Sequence, residues 1–557
     1  MAVSDTKTRH GTPVELPFQI FARQFEKLPP CQAMCPNSGD IRGWLGIIAQ
    51  RKKTGLSLDN AYDKAWQRLV EFNPMPATIG RICPHPCEDL CSRQEKDGAV
   101  SINAMERFLG DWGLSRALQL PQPPGERYPE SVAVIGSGPA SLSFAYQMAR
   151  RGYGVTIYDK DDRPGGMLRH AIPDYRLPRE ILDAEVDRIL RLNISLVTEV
   201  DVGVDLSLQQ LREEHDLVFL GLGAQAARRL DIPGEKGPGV MSGISYLRQR
   251  KHGQATDCGR RVLVIGGGNT AIDAARSARR DGASVTLVYR RSKSEMPATA
   301  REVQDAKIEG VEFRFLAAPT RIIREGSRIR QVEVQGMRLT EPDADGRRRP
   351  EPIAGKLEQL PADSVIVAVS QAPGWHDTDA VLHSGSWLHA EDDGRLQQRL
   401  FAGGDDLGPG IASRAVGQGR HAAESADADL RGLARPQVKP SSPQISGKSI
   451  RVDYYADRQR SQGSRLPEDE WLACPEAEID LTLTYRQASE EAERCMSCSL
   501  CFDCQQCFMY CNAGGFTRIE ETRPGKYFAI ALDVCECCGK CIELCPCGYL
   551  EPRETLT

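Results

Sequence analysis

The chain has 557 residues, of which 40% are hydrophobic and 26% charged, and its formal net charge is −5. This length is enough for about three to four domains, and so small a net charge gives no reason to expect nucleic acid as a partner. No run of about 18 apolar residues occurs, so the sequence predicts no membrane span. Because Met1 to Thr12 is polar and lacks the apolar core of a signal peptide, we expect a cytoplasmic protein.

The cysteines are concentrated at the two ends of the chain. Of the 19, five lie between Cys31 and Cys91 and twelve between Cys495 and Cys547, while Cys258 and Cys474 stand apart. In a cytoplasmic protein such groups indicate metal binding rather than disulfides.

Residues 1–125 are predicted to form a helical domain that carries the first cysteine group. Apolar side chains recur at helical spacing at Ile41, Trp44, Leu45 and Ile48. A proline-rich link, Pro121 to Pro124, is expected to end this domain.

A first nucleotide-binding fold is predicted from a strand, a glycine turn and a helix. The strand is Ser131 to Ile135, and the next strand ends at Asp159, a suitable acceptor for ribose hydroxyls. In the turn, the first glycine allows the tight bend, the second lets a pyrophosphate approach, and the third position must be small. The turn residues are Gly136, Gly138, Pro139, Ala140 and Ser141.

A second glycine turn follows the strand Arg261 to Ile265 and opens another helix. Its next strand ends in Arg290 and Arg291 rather than in an acid, which favours the 2′-phosphate of NADPH, although both could be solvated charges. The turn residues are Gly266, Gly268, Asn269, Thr270 and Ala271.

A third element, Gly404-Asp405 at the end of a strand, suits a flavin ribityl chain and pyrophosphate. The alternative is that all three elements are only tight turns. The predicted fold class is therefore multidomain α/β, with the second nucleotide-binding fold inserted in the first. The predicted ranges are a first nucleotide-binding domain at 126–255 and 370–430, a second at 256–369, a linker or extended segment at 431–485, and a cysteine-rich domain at 486–557.

Two cysteine runs near the C-terminus have the spacing of bacterial two-cluster ferredoxins. In that pattern the fourth cysteine of each run binds the other cluster, and zinc is the less typical metal. Four cysteines, Cys495, Cys498, Cys537 and Cys547, are left without an assigned role. One predicted [4Fe-4S] cluster is held by Cys501, Cys504, Cys507 and Cys545, and the other by Cys511, Cys535, Cys538 and Cys541.

Residues 1 to about 430 resemble the small subunit of bacterial glutamate synthase, a module also found in dihydropyrimidine dehydrogenase. The resemblance implies FAD in the first fold and NAD(P)H in the second, and it adds Gly166, Leu168 and Arg176 to the cofactor-binding residues. The matching stretches are Arg81–Glu88, Gly136–Ala140, Gly165–Leu168, Ile172–Pro178, Gly266–Asp273, Tyr289–Arg291, Met296–Pro297 and Gly403–Asp405.

The resemblance also implies ligands for an N-terminal cluster, where spacing alone leaves five thiols unassigned. Cys35, Cys83, Cys87 and Glu106 would hold one [4Fe-4S] cluster. The family's other cluster would use Cys31, Cys91 and an upstream Cys-x2-Cys, but Phe21–Phe25 stands there without a cysteine. We therefore expect one N-terminal cluster and three in total, with Cys31 and Cys91 uncommitted. In the alternative, one of these two cysteines replaces Glu106.

The ferredoxin-like tail makes the whole chain similar to the DsrL family of iron–sulfur flavoproteins. The resemblance implies an oxidoreductase that exchanges electrons between NAD(P)H and dissimilatory sulfite reductase in sulfur oxidation, with hydride transfer by FAD and no catalytic side chain. Ferredoxin is the alternative partner. The chain could also be a glutamate synthase small subunit or a non-catalytic scaffold, and whether it forms a homodimer is left open.

Overall fold

The computed structural model describes residues 20–123, 125, 127–256, 258–342, 348–375, 387–438 and 442–553. The polar start Met1 to Thr12 and Pro124 of the proline-rich link lie outside the described residues.

The N-terminal domain is helical, as its apolar spacing predicts, and one short strand precedes its helices. The predicted positions Ile41, Trp44, Leu45 and Ile48 are all buried. The elements are β1 (Phe21–Gln24), α1 (Pro30–Met34), α2 (Ile41–Ala49), α3 (Leu58–Val70), α4 (Pro76–Ile82), α5 (Pro86–Asp89), α6 (Gln94–Asp97) and α7 (Ile102–Ser115).

Helices α4 and α7 cross at very short range because each places a glycine at the crossing. A Cβ at Gly80 would lie 2.4 Å from the Arg107 nitrogen, and one at Gly110 would lie 2.2 Å from the Ala77 nitrogen. This crossing brings Cys83, at the C-terminal end of α4, towards Glu106 on α7.

The first sheet domain begins with alternating strands and helices after residue 130. Its elements up to residue 227 are β2 (Ser131–Ile135), α8 (Pro139–Ala149), β3 (Gly154–Tyr158), α9 (Met167–His170), α10 (Arg179–Leu190), β4 (Ile194–Val197), α11 (Leu208–Glu214), β5 (Leu217–Leu220) and β6 (Ala226–Ala227). Glu185 on α10 joins this domain to the N-terminal one, since its carboxylate accepts hydrogen bonds from the Ala77 and Thr78 nitrogens at 2.7 and 2.8 Å.

The second sheet domain is the predicted insertion, and it starts earlier than the predicted residue 256. Its parallel sheet has the order β10-β9-β8-β14-β7, so β7 and the helix that follows belong to it. A three-residue edge strand carries too little pattern to reveal this boundary. The elements are β7 (Val240–Ser242), α12 (Gly243–Lys251), β8 (Arg261–Ile265), α13 (Asn269–Arg280), β9 (Ser284–Tyr289), α14 (Ala300–Ile308), β10 (Glu312–Phe315), the antiparallel β11 (Ala317–Glu325), β12 (Arg328–Pro342) and β13 (Arg348–Pro361), then β14 (Ser364–Val367) and β15 (Gln371–Ala372).

The chain then returns to the first sheet, whose order is β16-β17-β5-β2-β3-β4. The returning elements are β16 (Arg395–Gln397), β17 (Leu400–Ala402) and α15 (Ala412–Arg431). Helix α15 packs closely on α8, because a Cβ at Gly419 would lie 2.1 Å from the Ala140 carbonyl oxygen.

The segment predicted as a linker or extended segment packs against the other domains over residues 442–485. Trp471 is buried with Tyr175 and Ile479, and Arg465 forms an ion pair of 2.6 Å with Asp305 on α14. The segment therefore acts as a strap across the second sheet domain rather than as a loose connection.

The C-terminal domain is attached to the N-terminal helices. Strand β1 pairs antiparallel with the last strand, with Phe21 opposite Arg553 and Gln24 opposite Leu550. The elements are α16 (Tyr485–Ala492), α17 (Gln506–Met509), β18 (Phe516–Arg523), β19 (Lys526–Ile530), α18 (Lys540–Leu544) and β20 (Leu550–Arg553). None of the helices in the described ranges has the length and apolar content needed to cross a bilayer.

The α4–α7 crossing makes Gly110 intolerant of a side chain. We expect Gly110→Ala to lower the free energy of unfolding by about 1–3 kcal/mol, because the added methyl group meets backbone atoms of Pro76 and Ala77 that cannot rotate away. The measurement is the midpoint of thermal unfolding. Gly447→Ala is the matched control, since a Cβ there has no atom within 4 Å, and equal midpoints for the two variants would contradict the prediction.

Candidate functional site

A cleft of about 1330 Å³ lies between the two sheet domains, where both glycine turns face each other. Strands β2 and β8 each end at one turn, so the N-termini of α8 and α13 reach the cleft. The predicted cofactor-binding residues that line it are Gly136, Gly138, Pro139, Ala140, Asp159, Gly166, Leu168, Arg176, Gly266, Gly268, Asn269, Thr270, Arg290, Arg291, Gly404 and Asp405.

The first turn leaves room for a phosphate group at Gly138. Gly136 has φ +86°, and a Cβ there would lie 2.3 Å from the Gly221 carbonyl oxygen, so this position requires glycine. A Cβ at Gly138 would instead project into open space. Because no side chain caps α8, its first N–H groups are available to an anion.

Ser141 is the small residue at the third position of this fingerprint. Its side chain is fully buried, and a Cβ at Gly221 would lie only 2.0 Å from the Ser141 hydroxyl oxygen. Ser141 thus packs helix α8 against the end of β5 and does not line the cleft.

Asp159 lines the cleft but also supports the turn from within. Its Oδ2 accepts hydrogen bonds from the Ser137 nitrogen at 2.6 Å and the Ser137 hydroxyl at 2.5 Å, and its Oδ1 accepts one from the Asp161 nitrogen at 2.8 Å. Burial raises the pKa of Asp159. A ribose hydroxyl that bound to Asp159 would therefore share its carboxylate with the backbone N–H groups of Ser137 and Asp161.

The second turn repeats this geometry. Gly266 has φ +148°, and a Cβ there would lie 2.2 Å from the Ala368 carbonyl oxygen, whereas one at Gly268 would meet open space. Ala271 is fully buried and fills the small third position. Asn269 accepts a hydrogen bond from the Thr299 nitrogen at 3.3 Å, which ties the turn to the start of α14.

Arg290 and Arg291 differ in how free they are. Arg291 donates from Nε to the Arg348 carbonyl oxygen at 2.9 Å. Arg290 is exposed, and among the residues that the structure describes no acid pairs with it. Of the two, Arg290 is better placed to accept a phosphate.

Gly404 and Asp405 close the cleft on the side of the first sheet. Gly404 has φ +98° and donates from its nitrogen to Gln418 Oε1 at 3.0 Å. Asp405 Oδ1 accepts from the Gly410 nitrogen at 2.9 Å, and burial raises the pKa of this carboxyl group.

Arg176 joins the two sheet domains at the edge of the cleft. Its guanidinium pairs with Asp273 on α13 at 2.7 Å and with Glu302 on α14 at 3.3 Å. The group is engaged within the protein, so its first role is to position the domains. Sequence reasoning missed Asp273 as this partner, and it missed Trp375, whose buried ring also lines the cleft.

The N-terminal residues Cys35, Cys83, Cys87 and Glu106 come together beside the cleft. Burial, followed by the charge of Glu106, raises the pKa of Cys83 to about 12. Burial also raises the pKa of Cys87, and Cys35, Cys83 and Glu106 are among the neighbours that raise it further. Cys83 Sγ lies 3.4 Å from the hydroxyl of Ser413 on α15, and both neighbours of Cys83, Ile82 and Pro84, line the cleft.

Glu106 is also held by a hydrogen bond. Asn73 donates from Nδ2 to its Oε1 at 2.9 Å, and burial raises the pKa of Glu106 to about 7. The carboxyl group therefore has one oxygen engaged, and its second oxygen is available to a metal.

The C-terminal cysteines form two groups. After burial, the charges of Cys504 and Cys545 raise the pKa of Cys501 to about 12. Cys501, Cys504 and Cys545 raise that of Cys507 in the same way. The second group is Cys535, Cys538 and Cys511, whose charges, after burial, raise the pKa of Cys541 to about 11.

No three His, Cys, Asp or Glu side chains in the described ranges converge closely enough to hold a single metal ion. The four-thiol groups are instead compatible with a multi-iron cluster, in which each thiolate binds a different iron. The open approaches at Gly138 and Gly268 are similarly compatible with two dinucleotides.

Comparison with known proteins agrees with this architecture. Residues 130–419 match the pyridine nucleotide-disulphide oxidoreductase model, and residues 25–118 match the model described as dihydropyrimidine dehydrogenase domain II, 4Fe-4S cluster. This chain belongs to the pyridine nucleotide-disulphide oxidoreductase family.

Three curated relatives match this chain over most of its length. The NADP(+)-dependent formate dehydrogenase subunit beta of Moorella thermoacetica is 35% identical over 84% of this chain and 70% of its own. The NADPH-Fe(3+) oxidoreductase subunit beta of Geobacter sulfurreducens is 34% identical over 84% and 75%. The glutamate synthase [NADPH] small chain of Halomonas elongata is 33% identical over 71% and 87%.

These matches confirm the predicted enzyme class. The protein is an NAD(P)H-dependent iron–sulfur flavoprotein oxidoreductase, similar to glutamate synthase small subunits and carrying an iron–sulfur domain.

The two open glycine positions predict separable cofactor defects. We expect Gly138→Ala to reduce bound FAD, and Gly268→Ala to keep FAD while weakening nicotinamide nucleotide binding by about tenfold, or about 1.4 kcal/mol. Both backbones have φ values that alanine adopts, −70° and −88°, so each variant should fold and serves as the control for the other. FAD content and NADPH titration measure the effects, and the same defect in both variants would contradict the assignment.

The exposed guanidinium of Arg290 predicts a coenzyme preference. We expect Arg290→Ala to raise the KM for NADPH by about tenfold or more while changing that for NADH little, because only NADPH carries the 2′-phosphate. Steady-state kinetics with both nucleotides test this. Arg301→Ala is the control, since Arg301 is similarly exposed but pairs with Asp480 on the strap, and an equal loss with NADH and NADPH would refute the assignment.

Proposed function

We propose that this chain exchanges electrons between NADPH and a redox protein through FAD, the N-terminal cluster and the ferredoxin-like domain. The observation that supports this most strongly is the position of the N-terminal cysteine group. Cys83 contacts Ser413 near the start of α15, and the neighbouring residues Ala412 and Ala415 line the nucleotide cleft. The thiol group therefore lies directly beside the space proposed for the flavin.

The two nucleotides would share one cleft, with FAD held by Gly136, Gly138 and Gly404 and NADPH by Gly266, Gly268 and Arg290. The chemistry that FAD and the clusters supply when bound is the exchange of one hydride, which carries two electrons, with nicotinamide and the passage of those electrons one at a time. The chain itself supplies geometry: the glycine turns set the two phosphate positions, and the Arg176 pairs set the angle between the domains.

The partner would dock at the second cysteine group of the C-terminal domain, which is formed by Cys511, Cys535, Cys538 and Cys541. Around this group the structure exposes several large apolar side chains, and Cys538 itself is exposed. These side chains are Phe508, Met509, Tyr510 and Val534, with exposed fractions of 48%, 66%, 48% and 44%. An apolar surface next to a cluster site favours a protein acceptor over a small one.

The partner that we propose first is dissimilatory sulfite reductase, with ferredoxin as the alternative. Two of the relatives are named as beta subunits, which supports a role beside another redox protein. The test is anaerobic NADPH oxidation with purified sulfite reductase, with ferredoxin, and with the glutamate synthase large subunit in the presence of glutamine and 2-oxoglutarate. A rate that depends only on ferredoxin would remove the sulfite reductase assignment, and glutamate formation would replace it.

The exposed apolar surface gives a more specific prediction. We expect Met509→Ser to raise the KM for the protein acceptor several-fold and to leave the rate with a small dye unchanged, because only a protein covers this surface. Val204→Ser is the matched control, since Val204 is 64% exposed on the first sheet domain. An equal change in both variants, or a loss of dye reduction in Met509→Ser, would contradict docking at this surface.

A further inference from the structure

Four cysteines whose spacing assigns them to no cluster come together in the folded chain. Cys31 lies on α1, Cys91 follows α5, and Cys495 and Cys498 follow α16. The first two are separated from the last two by about 400 residues of sequence. None of them belongs to the three cysteine groups described above.

Contacts with shared neighbours bring these four cysteines into the same region of the fold. Cys498 Sγ lies 3.3 Å from the hydroxyl of Ser92, the residue after Cys91. Cys31, Cys91 and Cys495 pack against the same apolar core of the N-terminal domain. Burial raises the pKa of Cys31 well above its usual value, and Cys498, Cys495 and Cys91 are all close enough to raise it further.

A buried cation adjoins the group. Arg42 is only 4% exposed, and its charge lowers the pKa of Cys31, Cys495 and Cys498 against the larger effect of burial. It donates from Nη1 to the Cys498 carbonyl oxygen at 2.6 Å, while its Nε has no hydrogen-bond partner among the described residues. Its Nη2 pairs with the Glu26 carboxylate, so Nε is the donor that is left for a further anionic neighbour.

The loop that carries Cys495 and Cys498 is anchored to the N-terminal domain from its first residue. Arg494 is fully buried and donates to the carbonyl oxygens of Asp97, Gly98 and Ala99 at 2.7–2.9 Å. Arg93 donates in return to the Arg494 carbonyl oxygen at 2.7 Å. These bonds hold the Cys-x2-Cys beside Cys91, so the four-thiol arrangement is a built part of the fold.

We propose that Cys31, Cys91, Cys495 and Cys498 hold a fourth [4Fe-4S] cluster, completed by ligands from the C-terminal domain. This replaces the expectation of three clusters, in which Cys31 and Cys91 stay uncommitted. It also removes the alternative in which one of them takes the place of Glu106, because both face the Cys495–Cys498 loop.

The position of the site between the other groups favours a redox cluster over structural zinc. Cys31 and Cys35 are four residues apart at α1, which separates their Cα atoms by about 6 Å. Cys87 and Cys91 are again four residues apart. Cys498 and Cys501 are three residues apart, so their Cα atoms are at most about 11 Å from each other. The site therefore adjoins the N-terminal group beside the flavin cleft on one side and the first ferredoxin-like group on the other, and a cluster there would take up and release one electron at a time between them.

The first test is the metal content of the full-length holoprotein, reconstituted under anaerobic conditions and measured by native mass spectrometry. We expect about sixteen irons and sixteen sulfides per chain, four for each [4Fe-4S] cluster, and no zinc. Twelve irons with one FAD, or twelve irons with one zinc, would overturn the proposal without any variant being made.

The second test asks whether the four thiols serve one cluster. Cys31→Ser and Cys498→Ser should each lose about four irons and the same electron paramagnetic resonance signal, and the double variant should lose no more than either single one. Combining Cys31→Ser with Cys541→Ser should lose about eight, since Cys541 belongs to a different group. Cys474→Ser, at an exposed cysteine outside every group, should keep all the iron.

Retention of FAD and of NADPH-dependent dye reduction shows that a variant has folded and that the nucleotide cleft works. Loss of about eight irons in the Cys31→Ser/Cys498→Ser double variant, with FAD retained, would mean that the two thiols serve different clusters and would overturn the proposal. Because these tests measure metal content, their outcome does not depend on whether sulfite reductase or ferredoxin is the partner.

Discussion

The arrangement of the cysteines depends on two buried arginines, Arg93 and Arg494. They join the segment before Cys495 to the N-terminal domain. Arg494 pairs with Glu491 at 2.6 Å and with Asp97 at 2.9 Å, and Arg93 pairs with the same Asp97 at 2.6 Å. Each guanidinium is nearly inaccessible to solvent, so removing one partner would leave a buried charge without compensation. These pairs, together with the β1–β20 strand pairing, hold two cysteine-rich domains together that are far apart in sequence.

A second network of buried charges sets the geometry of the nucleotide cleft. Arg176 reaches from the first sheet domain to Asp273 and Glu302 of the second, and Arg276 links Glu302 to Glu309. The Tyr175 ring packs under Arg276 and Arg280, with the guanidinium carbons 4.7 and 3.9 Å from the ring centre. Because the ring is buried in one cluster with Trp471 and Ile479 of the strap, the C-terminal segment contributes to the angle between the two nucleotide-binding folds.

The two networks make the C-terminal region more than an added electron carrier. The strap touches the second sheet domain through Arg465 and the N-terminal domain through Glu478, which pairs with Arg81 at 2.7 Å. The Cys-x2-Cys loop then completes a thiol group whose other half lies near the start of the chain. A fold in which the tail supplies both packing and metal ligands differs from a simple fusion of two independent modules.

The sequence by itself determined the features whose parts are close together in the chain. Two kinds of feature are local in this sense. They are the glycine turns at Gly136 and Gly266, each at one helix start, and the cysteine runs that begin at Cys501 and Cys535. The tertiary structure decided the contacts that these local patterns do not predict. It showed that Asp159 supports its own loop, that Arg176 joins two domains, that the second sheet domain begins at β7, and that Cys31 and Cys91 meet Cys495 and Cys498. Apart from Asp159, which lies 22 residues from Ser137 and two from Asp161, each of these depends on contacts between residues far apart in sequence. Such contacts leave no spacing pattern, because only the packing of the whole chain brings the partners together.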